Sequence, residues 1–148
     1  MEQKKLLNYI SITSILSILV SIYLLYSHYS KTPGKFCNFG ENFSCDLVNK
    51  SIYSLFPPKI GIPVAFLGIL FFMTILVLSR MIYKNPENEK HTINYLFIFS
   101  IFSLLFAVYL FSIELFVIKS FCIFCLILDV LIITNLALTY KLKYQILA

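Results

Sequence analysis

Four apolar stretches, each long enough to cross a bilayer, constrain this chain more than any other feature. They cover approximately residues 6–26, 62–82, 95–118 and 121–140. A spanning helix needs about 20 mostly apolar residues. Runs of this length are not strands, and an open sheet cannot satisfy its backbone in lipid. Ser and Thr inside the first stretch fit a span, because their hydroxyls can bond back to helix carbonyls. The chain has 148 residues, 59% hydrophobic and 13% charged, with mean hydropathy +0.87. A soluble domain carries about 25% charged residues. This one has too little polar surface to face water all round. The expectation is an all-α integral membrane bundle of four helices, forming one domain over 1–148.

A cleaved signal peptide has an apolar core of about 7–15 residues and a small-residue cleavage site. The first stretch is longer and ends in LLYSHYSKTPGK, so an anchor is expected. Four spans put both termini on one side and place the first loop and the third turn together on the other. Lys4, Lys5, Arg80, Lys84, Lys90, Lys141 and Lys143 fall on the terminal side. Lys31, Lys35, Lys50, Lys59 and Lys119 fall opposite, mostly spread along a long loop. Positive charge close to span ends marks the cytoplasm. A multi-pass cell-membrane protein with cytoplasmic termini is therefore expected. The net charge of +5 suits anionic headgroups, and no basic stripe with interleaved aromatics suggests nucleic acid.

All four cysteines lie on the loop side by span parity. That side would be extracytoplasmic, where disulfides persist. Cys37 and Cys45 bracket a short loop, CNFGENFSC. Cys122 and Cys125 form a CxxC, FCIFC, at the start of the last apolar stretch. Unpaired N–H groups and the dipole at a helix start favour the thiolate form of a cysteine. A CxxC loop is too small for chain entropy to be its purpose, so it suits redox exchange. The loop pair could carry a disulfide between reaction partners. Electrons would then run from an outside dithiol to the loop pair, to the CxxC, and on to a lipid-soluble acceptor such as a quinone. Four thiolates also match a zinc site by count, although neither segment contains His. A non-enzymatic scaffold with two structural disulfides is the remaining alternative.

The rest of the first loop is punctuated by Pro33-Gly34 and Pro57-Pro58. Between them, apolar residues at 48, 52, 55 and 56 have helical spacing. A short amphipathic helix within 44–56 should cap the bundle. The second loop, KNPENEKHT, reads as a turn without function.

The ordered set Cys37-x7-Cys45, Ser51, GIPVAFLG (61–68) and FCIFC resembles the vitamin K epoxide reductase family and its microbial homologues. The likeness covers nearly the whole chain. The DsbB-type quinone enzymes place their CxxC first and the wider pair second, the reverse of the order here. The resemblance implies that Cys122 and Cys125 are the active-site pair, with Cys125 facing the quinone. It implies that Cys37 meets the partner and Cys45 relays to Cys122. Ser51 corresponds to a capping-helix hydroxyl near the site. Asp129 stands where the animal enzymes carry a quinone-contacting Tyr, and GIPVAFLG lacks their vitamin K-binding Asn. The implied activity is quinone reduction coupled to disulfide formation. Some microbial members carry a fused thioredoxin-like domain; this chain lacks one, so a separate thioredoxin-like (DsbA-like) partner is implied. A ubiquinone, menaquinone or related molecule would be the cofactor, with no metal.

Two acids need separate comment. Asp129 lies one turn beyond Cys125 and could bond a quinone oxygen or a neighbouring helix; a charged acid in a span costs about 2.5–3.5 kcal/mol and usually faces inward. Glu114 reads as a structural residue pairing with Lys119 or Lys35, or as part of the site lining. Asn135, deeper in the last stretch, reads as structural, and the Phe and Tyr residues of the spans as packing.

Overall fold

The computed structural model describes residues 2–32, 38, 40 and 42–148. Among them, four helices are long and apolar enough to cross a membrane. The spans are α1 (Glu2–Tyr29), α3 (Val64–Lys84), α4 (Glu89–Ile113) and α5 (Ile123–Leu147). Between α1 and α3 lie a short helix α2 (Cys45–Asn49) and two short strands, β1 (Leu55–Phe56) and β2 (Ile62–Pro63). α4 continues into a wider π-helical turn, Glu114–Ile118. The chain belongs to the all-α membrane class expected from hydropathy.

The helices surround one axis in the order α1, α3, α4, α5, each packed against its two neighbours. Small hydroxyl side chains are buried between them. Ser11, Ser14, Ser17 and Ser21 of α1 are buried, while Ile12, Leu16 and Leu19 point outward. A small hydroxyl at every third or fourth position lets neighbouring helices approach closely. Most of these hydroxyls are satisfied locally: Ser11, Ser14 and Ser17 donate to the carbonyls of Leu7, Ile10 and Thr13. Ser11 also meets Ser79 of α3 at 3.1 Å. Lipid solvates the outer Ile and Leu side chains, so the pattern needs no aqueous surface there.

The interior differs between the two ends. Toward the termini, Ile10, Ile75, Ile93, Leu96 and Leu142 form a closed apolar core. Toward the cysteine end, a smaller cluster of Leu24, Cys45, Val48 and Cys122 forms a lid. The bundle is open between them.

The cap departs from the helix anticipated over 44–56. Ser44 caps α2 by accepting from the Leu47 N–H, but α2 lasts only to Asn49. The Asn49 side chain turns to donate to the Leu24 carbonyl at 2.6 Å. Its own carbonyl lies 2.6 Å from His28 Nδ1. Both contacts tie the cap to the end of α1. A single 3-10 turn, Ile52–Ser54, follows. Pro57 then biases the residue before it toward extended backbone, and Leu55 and Phe56 pair antiparallel with Pro63 and Ile62. The turn between them accommodates only a glycine at Gly61, where a Cβ would overlap the Phe56 carbonyl. The apolar residues at 55 and 56 thus belong to a strand.

Candidate active site

Backbone pairing brings the first loop to the start of α5. Phe43 and Phe121 form a parallel bridge, and the Phe121 N–H donates to the Asn42 carbonyl at 2.9 Å. Cys45, two residues after Phe43, is thereby held against Cys122, one residue after Phe121. The two Sγ atoms are 3.0 Å apart. Cys45 is disulfide-bonded; Cys122 and Cys125 are thiols. Reacting atoms in productive complexes sit about 3–3.5 Å apart. A thiol aimed at a disulfide sulfur at this distance is placed for exchange. Both sulfurs are buried, so water does not compete there.

Cys122 is also the N-cap of α5: its Sγ accepts from the Cys125 N–H at 3.4 Å. The cap position and the one-turn spacing turn the two sulfurs different ways. Cys122 faces the loop disulfide, whereas Cys125 lines the opening in the bundle. The two thiols therefore face different surroundings.

The opening is a cavity of about 900 Å³ of empty space, counted out to its mouth. Its walls are mainly apolar, with Leu24, Phe71, Phe72 and Phe106 contributing. Ser51 and Asp129, both singled out in the sequence, line it with Cys125. Ser51 is half-committed elsewhere, since its hydroxyl donates to the Val48 carbonyl at 2.8 Å. Cys37 lies outside the described residues, so the structure offers no geometry for it.

One lining residue was not legible as such in the sequence, and a second was read there as one of two alternatives. Ser21 continues the hydroxyl stripe of α1, yet its Oγ is buried with no hydrogen-bond partner among the described residues. It lines the cavity beside Gly68, where an added Cβ would come within 3.2 Å of that oxygen. The missing side chain at Gly68 lets α3 approach α1 closely here. Glu114 is the second. The expected ion pair with Lys119 is not among those of the described residues, and Lys35 lies outside them. Glu114 is buried in the cavity wall, and one carboxylate oxygen accepts from the Cys122 N–H at 3.4 Å. Asn135, read as structural, is buried with its amide donating to the Leu131 carbonyl.

The model of the vitamin K epoxide reductase family matches residues 8–140. The chain belongs to this family. The match spans all four helices and both described cysteine positions of the CxxC. Membership makes the protein a multi-pass membrane thiol oxidoreductase of a family that uses quinones and works with thioredoxin-like partners. No curated protein taken singly matches the chain.

A quinone is a flat, largely apolar ring with a carbonyl oxygen at each end. The cavity suits such a group: aromatic and aliphatic walls, the unpartnered Ser21 hydroxyl as a donor, and a cysteine thiol at the edge.

Proposed function

We propose that this vitamin K epoxide reductase family member oxidises a separate thioredoxin-like protein and passes the electrons to a membrane quinone. The route runs from the partner to Cys37/Cys45, from Cys45 to Cys122, and leaves through Cys125. The observation that carries this reading is the 3.0 Å contact between Cys45 and Cys122, with Cys125 of the same CxxC in the cavity.

Each transfer balances as thiol–disulfide exchange. The partner's dithiol reduces the Cys37–Cys45 disulfide and becomes a disulfide itself. The Cys45 thiolate then attacks Cys122 of an oxidised CxxC; the Cys122–Cys125 bond breaks and Cys125 leaves as thiolate. Cys37 attacks Cys45, restoring the loop disulfide and releasing Cys122. The CxxC is left as a dithiol beside an intact disulfide at Cys45, the arrangement of thiols and disulfide described above. A bound quinone supplies an acceptor for two electrons and two protons, the number the dithiol loses on closing to a disulfide. Ser21, Ser51 and Asp129 are the residues that would hold it. The scaffold alternative has no use for a thiol pair with one member lining an apolar cavity.

The cysteine end is proposed to be extracytoplasmic, with the termini inside. Charge near the span ends and the oxidising chemistry both support that placement.

The relay is tested by trapping it. In a Cys125→Ser variant, Cys122 has no partner within the CxxC and should capture Cys45. Peptide mapping by mass spectrometry should then find a Cys45–Cys122 disulfide as the main cross-link. A variant whose Cys45 never links to Cys122 would refute the relay.

A further inference from the structure

Glu114 has surroundings that a structural acid does not need. It is only 3% exposed, in a wall that is otherwise mainly apolar. The chain reaches it through the π-helical turn Glu114–Ile118, which ends at Lys119 in the left-handed region (φ 56°). Single π turns in long helices frequently occur at functional sites. Here the turn directs the side chain toward the start of α5. One oxygen accepts from the Cys122 N–H at 3.4 Å, and Glu114 and Cys125 line the same cavity. The carboxyl is thus tied to the CxxC backbone in the wall that carries the Cys125 thiol.

The other groups around Cys125 are few. Its own helix presents Cys122 and Asp129, and the capping segment presents Tyr53 on the cavity wall. α1 contributes the Ser21 hydroxyl, and α3 contributes Ala65, Gly68 and Phe71, none of which titrates. Asp129 lies one turn beyond Cys125 along the cavity wall, whereas Glu114 is anchored at the CxxC itself. A thiol must lose its proton before its sulfur becomes nucleophilic. In a wall this apolar the proton needs a fixed acceptor.

We propose that Glu114 is the proton acceptor for the Cys125 thiol. The S–H bond breaks, an O–H bond forms on the Glu114 carboxylate, and the electron pair stays on sulfur as a thiolate. Nothing is oxidised in this step. The hydrogen bond from Cys122 N–H holds the carboxylate in position for it. The inference rests on the reading of Cys125 as the sulfur that reacts in the cavity, but its test needs neither quinone nor partner.

The experiment is site-resolved alkylation of the reduced full-length chain in lipid nanodiscs by iodoacetamide, followed by mass spectrometry from acidic to alkaline pH. General-base assistance should give Cys125 a two-step profile, rising first as the carboxylate ionises and again as the thiol does. Glu114→Gln is isosteric and keeps an oxygen for the Cys122 N–H. It should lose the first step and react about a hundredfold more slowly near neutral pH, the low end of general acid–base contributions. Glu114→Asp, one methylene shorter, should fall between the two and keep the first step. A Gln variant reacting as fast as the parent or faster near neutral pH would overturn the proposal, because a carboxylate that only repels a thiolate gives that result. If the Gln variant does not fold, an Asp variant as fast as the parent overturns it equally. Failure here leaves Cys125 as the reactive sulfur; loss of that reading would show separately, as unchanged quinone turnover in Cys125→Ala.

Discussion

Individual residues divide by how much their type alone reveals. Two cysteines one helical turn apart announce themselves, and their place at a helix start favours a thiolate there. Ser21 does not announce itself. It belongs to a stripe in which Ser11, Ser14 and Ser17 all bond back to their own helix. Only the packing shows that Ser21 alone of these four lacks a partner, because the decisive neighbour, Gly68, is 47 positions away in the chain. A neutral hydrogen bond contributes about 1 kcal/mol. Ser21→Ala should therefore raise KM for a quinone about fivefold in steady-state assays. An unchanged KM would remove Ser21 from the binding site. Glu114 was similarly ambiguous: a carboxyl near a span end has a solvent-side lysine available in sequence, and the π turn that points it inward instead has no distinct sequence signature.

At the scale of elements, the spans were legible because lipid imposes one rule on all of them. Their ends were less so. α5 begins at Ile123 with Cys122 as its cap, and α4 starts at Glu89, ahead of the apolar stretch that marks it. The cap was misread over part of its length for a physical reason. Apolar residues at 48, 52, 55 and 56 satisfy helical spacing, but Asn49 is diverted to α1 and Pro57 extends the chain before it. Phe56 then packs edge-on against Phe106 of α4, with ring centres 5.5 Å apart. The tether at Asn49 has a testable consequence. Asn49→Ala removes the second donor to the Leu24 carbonyl, which the α1 backbone also bonds, a loss of about 0.5–1.5 kcal/mol. Amide exchange in α2 should accelerate by roughly two- to tenfold. Exchange unchanged from the parent would mean that the Phe43–Phe121 bridge alone positions Cys45.

The whole molecule combines a closed core at the terminal end with a hollow at the cysteine end. That division lets one small bundle be rigid and still hold a ligand. It also sets three sulfurs in sequence from the lid to the cavity: Cys45, Cys122 and Cys125. Under quinone depletion such a relay should accumulate thiols, read by gel-shift labelling in whole cells; cysteines that stay oxidised would favour a scaffold. The most direct measurement is quinone reduction by the purified protein in nanodiscs, driven in parallel by a reduced thioredoxin-like protein and by dithiothreitol. Cys125→Ala should abolish turnover with both donors. Cys37→Ala and Cys45→Ala should lose the protein donor and keep dithiothreitol. Undiminished turnover in Cys125→Ala, or equal loss with both donors in the loop variants, would contradict the account.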